Sequence, residues 1–226
     1  MDKRLDLTAR NFPSAQEEAE ALTPPSRYDG PESAYRLAFT DTEFLLRADL
    51  RPVRMQLELL KPELVQTEQG IDSTIVIFGS ARILPAEVAA QRLSEARAAG
   101  DAALLRQAEM QVSMSRYYEE ARRFSALVTV KSRALETPIY VVTGGGPGVM
   151  EAGNRGAYEV GGKSIGLNIV LPHEQAPNSY ITPELCFQFH YFGLRKMHFL
   201  TDRAVHARRP DGRGARDRAP RRAGMG

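Results

Sequence analysis

Between Val141 and Ala157 the chain reads VVTGGGPGVMEAGNRGA. An apolar run meets Gly144, Gly145 and Gly146, then Pro147 and Gly148, and continues into a segment of helical composition. Glycines between a strand and a helix let the backbone turn sharply and bring main-chain N–H groups against a ligand with no Cβ in the way. The start of the helix adds unpaired N–H groups and a partial positive charge, which favour an anion such as phosphate. A turn that only packs a strand on a helix needs one glycine, and four within five residues point to ligand approach. Gly144, Gly145, Gly146 and Gly148 are therefore candidate phosphate-binding residues.

The surrounding residues narrow the ligand. A dinucleotide site wants an acid about 20 positions further on, at the end of the next strand. That region reads LNIVLPHE: the strand end holds Asn168, Val170 and Leu171, and the nearest acid, Glu174, lies in the loop beyond. NAD is thus disfavoured. The stretch AYEVGGKS approaches a P-loop, but Ala157 stands where the first glycine is needed and a strand follows where a helix should. No G-x-S-x-G elbow occurs, so serine hydrolase chemistry has no support. One cysteine excludes an intrachain disulfide, and with four scattered histidines no metal-ligand spacing exists. Cys186, in ELCFQFHYF, reads as a small core residue and not a nucleophile. A mononucleotide or phosphosugar is the remaining ligand class, and neither a metal nor a cofactor is expected.

The elements that must position the turn are legible around it. STIVIFGSARI reads as a buried strand ending in Gly79 and Ser80. A helical region runs from Pro85 to about Leu135 with an interruption at Gly100–Asp101. TPIYVVTGGG supplies a second strand, followed by a helix with Pro147 near its first turn, where proline is tolerated. SIGLNIVLP is a third strand, LCFQFHYF a short fourth, and GLRKMHFL opens a last helix. This order implies βαβ units: a doubly wound, Rossmann-like α/β fold with a parallel sheet, right-handed crossovers and helices on both faces.

Three regions follow from composition: an N-terminal extension over 1–72, the nucleotide-binding domain over 73–202, and a tail over 203–226. The extension has apolar residues at helical spacing (Phe44, Leu45, Leu50, Val53, Leu57, Leu60, Leu64), with Pro52 and Pro62 expected to divide it into short helices. The tail holds eight Arg and two Asp, a charge of +6, which leaves −4 on the rest of a chain whose total is +2. Without apolar periodicity it is expected to be disordered. Nucleic acid is disfavoured because no aromatic residue is interleaved with the arginines to stack on bases. No apolar run approaches the ~18 residues of a membrane span, and the N-terminus lacks a signal peptide's apolar core, so a cytoplasmic location is expected.

GGGPGVMEAGNRGA after a strand, preceded by IVIFGSARI and followed by IGLNIVLP and FHYFGLRKMHF, resembles the LOG (Lonely Guy) family, formerly called lysine decarboxylase-like. RYYEEARRFSALV, Arg116 to Val128, is similar to the family's helix between its first two strands. The resemblance covers about Ser73 to Leu200, and the N-terminal extension is like that of longer bacterial members described as AMP nucleosidases. It implies a Rossmann-like homodimer that hydrolyses the N-glycosidic bond of a nucleoside 5′-monophosphate, AMP or a cytokinin riboside monophosphate, to free base and ribose 5-phosphate. It implies that Arg195 is the catalytic arginine and that Lys196, Gly79, Ser80 and Arg82 line the same crevice. Val149 and Met150 would complete the phosphate-binding set, with Met150 over the ligand; His190 would stand between a core-edge residue and a base contact, and Glu151 would complement the helix dipole.

The family's second signature, P-G-G-x-G-T-x-x-E, has no good counterpart. In PDGRGARDR, Asp211 replaces a glycine, Ala215 the threonine and Arg218 the catalytic glutamate. A truncated or frameshifted member is the expectation, with impaired activity or with a full-length homolog as partner. The alternative is a non-catalytic protein that binds a nucleotide or a phosphorylated cofactor.

Overall fold

The structure, a computed structural model, describes residues 13–21, 26–30, 33–171 and 176–201. The expected basic tail over 203–226, with PDGRGARDR in it, lies outside the described residues, as do the first twelve residues of the extension. The chain divides into two compact units between Gln56 and Leu57.

In the first unit, α1 (Ala15–Glu20) starts from a reciprocal cap. Ser14 Oγ accepts from the Glu17 N–H at 3.2 Å, and the Glu17 carboxylate accepts from the Ser14 N–H at 2.6 Å. Asp41 caps α2 (Thr42–Leu45) by accepting from the Phe44 N–H at 3.1 Å. The first turn of α3 (Arg51–Glu68) is tied back to that segment: Arg54 Nη1 donates to the carbonyls of Leu45 and Arg47, both at 2.7 Å.

α3 runs unbroken through both prolines, against the expectation of short helices. Pro52 sits in the first turn, where an N–H has no intrahelical acceptor to lose. Pro62 is interior and forfeits one backbone bond, a cost of about 3 kcal/mol, but its ring is buried beside a cavity of about 210 Å³ that Phe187 and Phe189 also line. Tertiary packing thus overrides the local breaker. The face of α3 turned inward holds Pro62, Val65 and Gln66, while the apolar stripe Leu57, Leu60 and Leu64 stays exposed.

The second unit is built on four parallel strands in spatial order β1 (Ser73–Ile77), β2 (Ile139–Thr143), β3 (Ser164–Ile169) and β4 (Cys186–Phe189). The registers pair Ser73 with Ile139, Val141 with Ser164, and Gly166 with Cys186. Helices α4 (Ala86–Ala99) and α5 (Ala102–Ser132) connect β1 to β2, and α6 (Val149–Glu159) connects β2 to β3. α7 (Phe192–Thr201) follows β4. The expected interruption at Gly100–Asp101 is a helix–helix joint: Gly100 takes φ +68° and the Asp101 carboxylate caps α5 through the N–H groups of Ala103 and Leu104. Pro147 stands beside the first turn of α6, one residue before the N-cap, Gly148.

Alternation along the strands feeds two apolar layers. Ile77 and Val141 pack with Val149 of α6, with Ala121 and Val128 of α5 alongside. On the other face Val142, Ile165, Leu167, Phe187 and Phe189 pack with Ile71 and Phe199, joined by Val65 of α3 and Leu194 of α7. Helices therefore cover both faces of an all-parallel sheet, as in Rossmann-like α/β folds. Parallel strands place all their C-terminal ends at one edge, and there the Gly79–Ser80 loop, the glycine turn, the end of β3 and the start of α7 meet. No described helix is long and apolar enough to cross a membrane.

Candidate functional site

The turn after β2 is pressed against the loop after β1. Gly148 adopts φ +73° and ψ −132°, and a Cβ there would lie 2.3 Å from the Ser80 carbonyl oxygen. This contact needs a glycine on both counts. The Val149 N–H, first of the helix's unpaired donors, donates to that same carbonyl at 3.1 Å. Ser80 Oγ accepts from the Arg82 N–H at 3.2 Å, and Gly79 and Ser80 are both exposed. Val149 is itself buried in the apolar layer, and its amide is spent on the loop.

Arg195 arrives from a separate element. The Glu58 carboxylate accepts from the N–H groups of His190 at 2.7 Å and Tyr191 at 3.1 Å, the two residues just ahead of α7. One turn in, the half-buried Arg195 side chain reaches back over the sheet edge. Its Nε donates to the Leu167 carbonyl at 2.6 Å and its Nη2 to the Gly144 carbonyl at 3.3 Å, and the guanidinium lies 5.1 Å from the Phe199 ring centroid. A Cβ on Gly144 would stand 2.6 Å from Arg195 Nη2 and 2.9 Å from Met150 Sδ, so the absence of a side chain admits both. No carboxylate pairs with Arg195 among the described residues. Burial alone lowers its pKa: the cation has lost water and gained no counter-charge, a deficit an anion would correct.

The main-chain groups of the turn divide into used and unused. Gly144 O takes Arg195, the Gly145 N–H donates to Thr143 Oγ1 at 3.0 Å, and the carbonyls of Gly145 and Gly146 both accept from Asn178 Nδ2 at 3.1 Å. The N–H groups of Gly146, Gly148, Met150 and Glu151 have no acceptor among the described residues. Met150 is half-buried and folds over the turn, its Cε 2.9 Å from where a Gly146 Cβ would be.

A buried polar network beneath the turn was not foreseen from the sequence. Asn154, fully buried in α6, accepts at Oδ1 from Thr143 Oγ1 (2.6 Å) and Asn178 Nδ2 (3.0 Å). Its Nδ2 donates to Ser164 Oγ (3.0 Å) and the Ile165 carbonyl (3.3 Å). Every polar atom of the Asn154 amide is thus satisfied inside the core, which ties β2, β3 and the turn to one helix. The available signal was an amide set among Ala and Gly on the inward side of a helix, where burial without partners would cost a few kcal/mol.

Glu151 is fixed from the other side, its Oε1 accepting from the Tyr118 hydroxyl of α5 at 2.7 Å. Burial, with the Glu151 carboxylate adding to it, pushes the Tyr118 phenol well above its ordinary pKa and keeps it a donor. One turn on, Arg155 pairs with Glu87 and Glu159, each at 3.0 Å, which locks α4 and α6 together. Three remaining candidates are not drawn into the turn: Lys196 is exposed, Arg82 is exposed, and the exposed His190 sets its ring edge-on to Tyr191 at 4.7 Å. Burial pushes the half-buried Cys186 thiol up, in keeping with a packing residue. No group of three or more His, Cys, Asp or Glu among the described residues could hold a metal ion.

No protein-family profile matches the chain, and no curated protein matches its sequence.

Proposed function

We propose that this chain binds a nucleoside 5′-monophosphate through its phosphate at the glycine turn and cleaves the N-glycosidic bond to free base and ribose 5-phosphate. One observation carries the binding part: Arg195, half-buried and without a counter-ion among the described residues, rests on the Gly144 carbonyl beside the unused amides of α6. The resemblance to the LOG family supplies the reaction. In it water adds at C1′ as the C1′–N bond breaks through an oxocarbenium-like ribose, and the base leaves with a proton. Arg195 would pin and polarise the substrate, with Ser80 and Gly79 on the loop beside the turn and Met150 over it.

Binding without turnover is the second reading, and the state of Glu151 favours it. The chemistry wants a carboxylate beside C1′, and the acid in the first turn of α6 is held by Tyr118. The test is a time course of AMP with the full chain, following adenine and ribose 5-phosphate. Release of both supports hydrolysis. Saturable AMP binding with no release assigns the second reading, and neither binding nor release removes both.

A further inference from the structure

The direction of an amide in a turn is set by what holds the carbonyl at the other end of the same peptide, since the two point opposite ways in a trans unit. The Gly145 carbonyl is held by Asn178 twice: by its backbone N–H at 2.9 Å and by Nδ2 at 3.1 Å. The Gly146 N–H, at the far end of that peptide, is therefore turned away from Asn178. Asn178 Nδ2 also lies 3.1 Å from the Gly146 carbonyl and 3.0 Å from Asn154 Oδ1. Its Oδ1 accepts from the Tyr180 N–H at 3.2 Å, so the side-chain amide has one sensible orientation, with its donors on the turn. Asn178 stands 33 residues from Gly145, on the segment between β3 and β4, and belongs to no helix or strand. A residue on such a segment with a half-buried side chain that contacts three separate acceptors is doing more than filling space.

We infer that Asn178 is a positioning residue for the site: its side-chain amide holds the Gly145–Gly146 peptide so that the Gly146 N–H faces the bound phosphate. This rests on the reading of the turn as a phosphate seat. Asn178 acts through the peptide and touches no reacting atom.

The test uses the full chain, 15N-labelled, as wild type, Asn178→Ala and Asn178→Asp, with AMP as the probe. Asp keeps the size, the backbone N–H bond and the acceptor for Tyr180, but it has no hydrogen to give the carbonyls. If Asn178 only fills space, Asp preserves the wild-type behaviour. If it acts as a donor, both variants shift and broaden the free Gly146 amide signal. Both also weaken AMP binding by about tenfold, the loss of one good hydrogen bond. The AMP-induced shift at Gly146 disappears while those at Met150 and Glu151 persist. An Asp variant with a wild-type Gly146 signal and wild-type affinity overturns the inference. If the Ala variant fails to fold, the Asp comparison decides alone. Wild type that binds no AMP while both variants still disturb Gly146 sinks the phosphate seat and leaves the role of Asn178 standing. Wild type that binds AMP with Gly146 unmoved in every variant does the reverse.

Discussion

Arg195→Ala is expected to weaken AMP binding by about 30- to 150-fold, the 2–3 kcal/mol typical of a charge-assisted hydrogen bond to phosphate. The side chain is held at two points, Leu167 O through Nε and Gly144 O through Nη2, and leans on Phe199. A guanidinium can keep those bonds and still present an N–H to a ligand, because its five donors lie in a fixed fork. Arg195→Lys retains the charge but offers one ammonium for both tasks, so it should fall between wild type and alanine. Any release of ribose 5-phosphate should vanish with Arg195→Ala. The fold should tolerate the change with a loss of about 1 kcal/mol, as two exchangeable carbonyl contacts at the sheet edge are lost. Calorimetric titration together with thermal unfolding separates the two effects. Affinity within about threefold of wild type would remove Arg195 from the site, since even a weak charged hydrogen bond exceeds that.

Gly148→Ala should have the largest effect on stability. Its φ of +73° with ψ of −132° is a region that side chains scarcely enter, and an added Cβ would lie 2.3 Å from Ser80 O and 2.8 Å and 2.9 Å from Ala81 backbone atoms. All three obstacles are main chain, so relief requires parting the β1 loop from α6 and breaking the Val149–Ser80 bond. Strain and overpacking together place the cost at about 2–4 kcal/mol, a fall of roughly 5–15 °C in Tm for a unit of this size. AMP binding should be lost with it, because the amides of Gly148 and Met150 move. Gly193→Ala is the control: it lies in α7, where an added Cβ meets nothing within 4 Å, and should be neutral or slightly stabilising. Equal melting temperatures for Gly148→Ala and wild type would show that the tight contact between the two loops is not a constraint.

What was readable in advance is what residue type alone dictates. Four glycines between a strand and a helix announce a main-chain turn, and the breaks in hydrophobic period place β1 to β4 and the long α4–α5 pair. Placement of Arg195 at the turn came from a family likeness, and no local feature of LRK marks it. What was not readable depends on partners far apart in the chain. Asn154 looks like an ordinary helix residue until Thr143, Ser164 and Asn178 surround it. Asn178 lies in a Pro-containing loop with no period. Glu58 reads as one more exposed acid on α3, yet it holds the two backbone N–H groups that lead into a helix over 130 residues later. Pro62 misleads in the opposite sense, since a local rule predicts a break that burial of the ring overrides. The apolar stripe of α3 misleads likewise: Leu57, Leu60 and Leu64 mark a face that the sheet does not use.

The phosphate seat itself is tested by titrating the full chain with AMP, ribose 5-phosphate and adenosine under identical conditions. AMP and ribose 5-phosphate should both bind, and adenosine, which lacks the phosphoryl group, should bind at least ~100-fold more weakly than AMP, the loss of about 3 kcal/mol of charged contacts. Adenosine binding as tightly as AMP, or no binding of either phosphorylated ligand, would contradict the account.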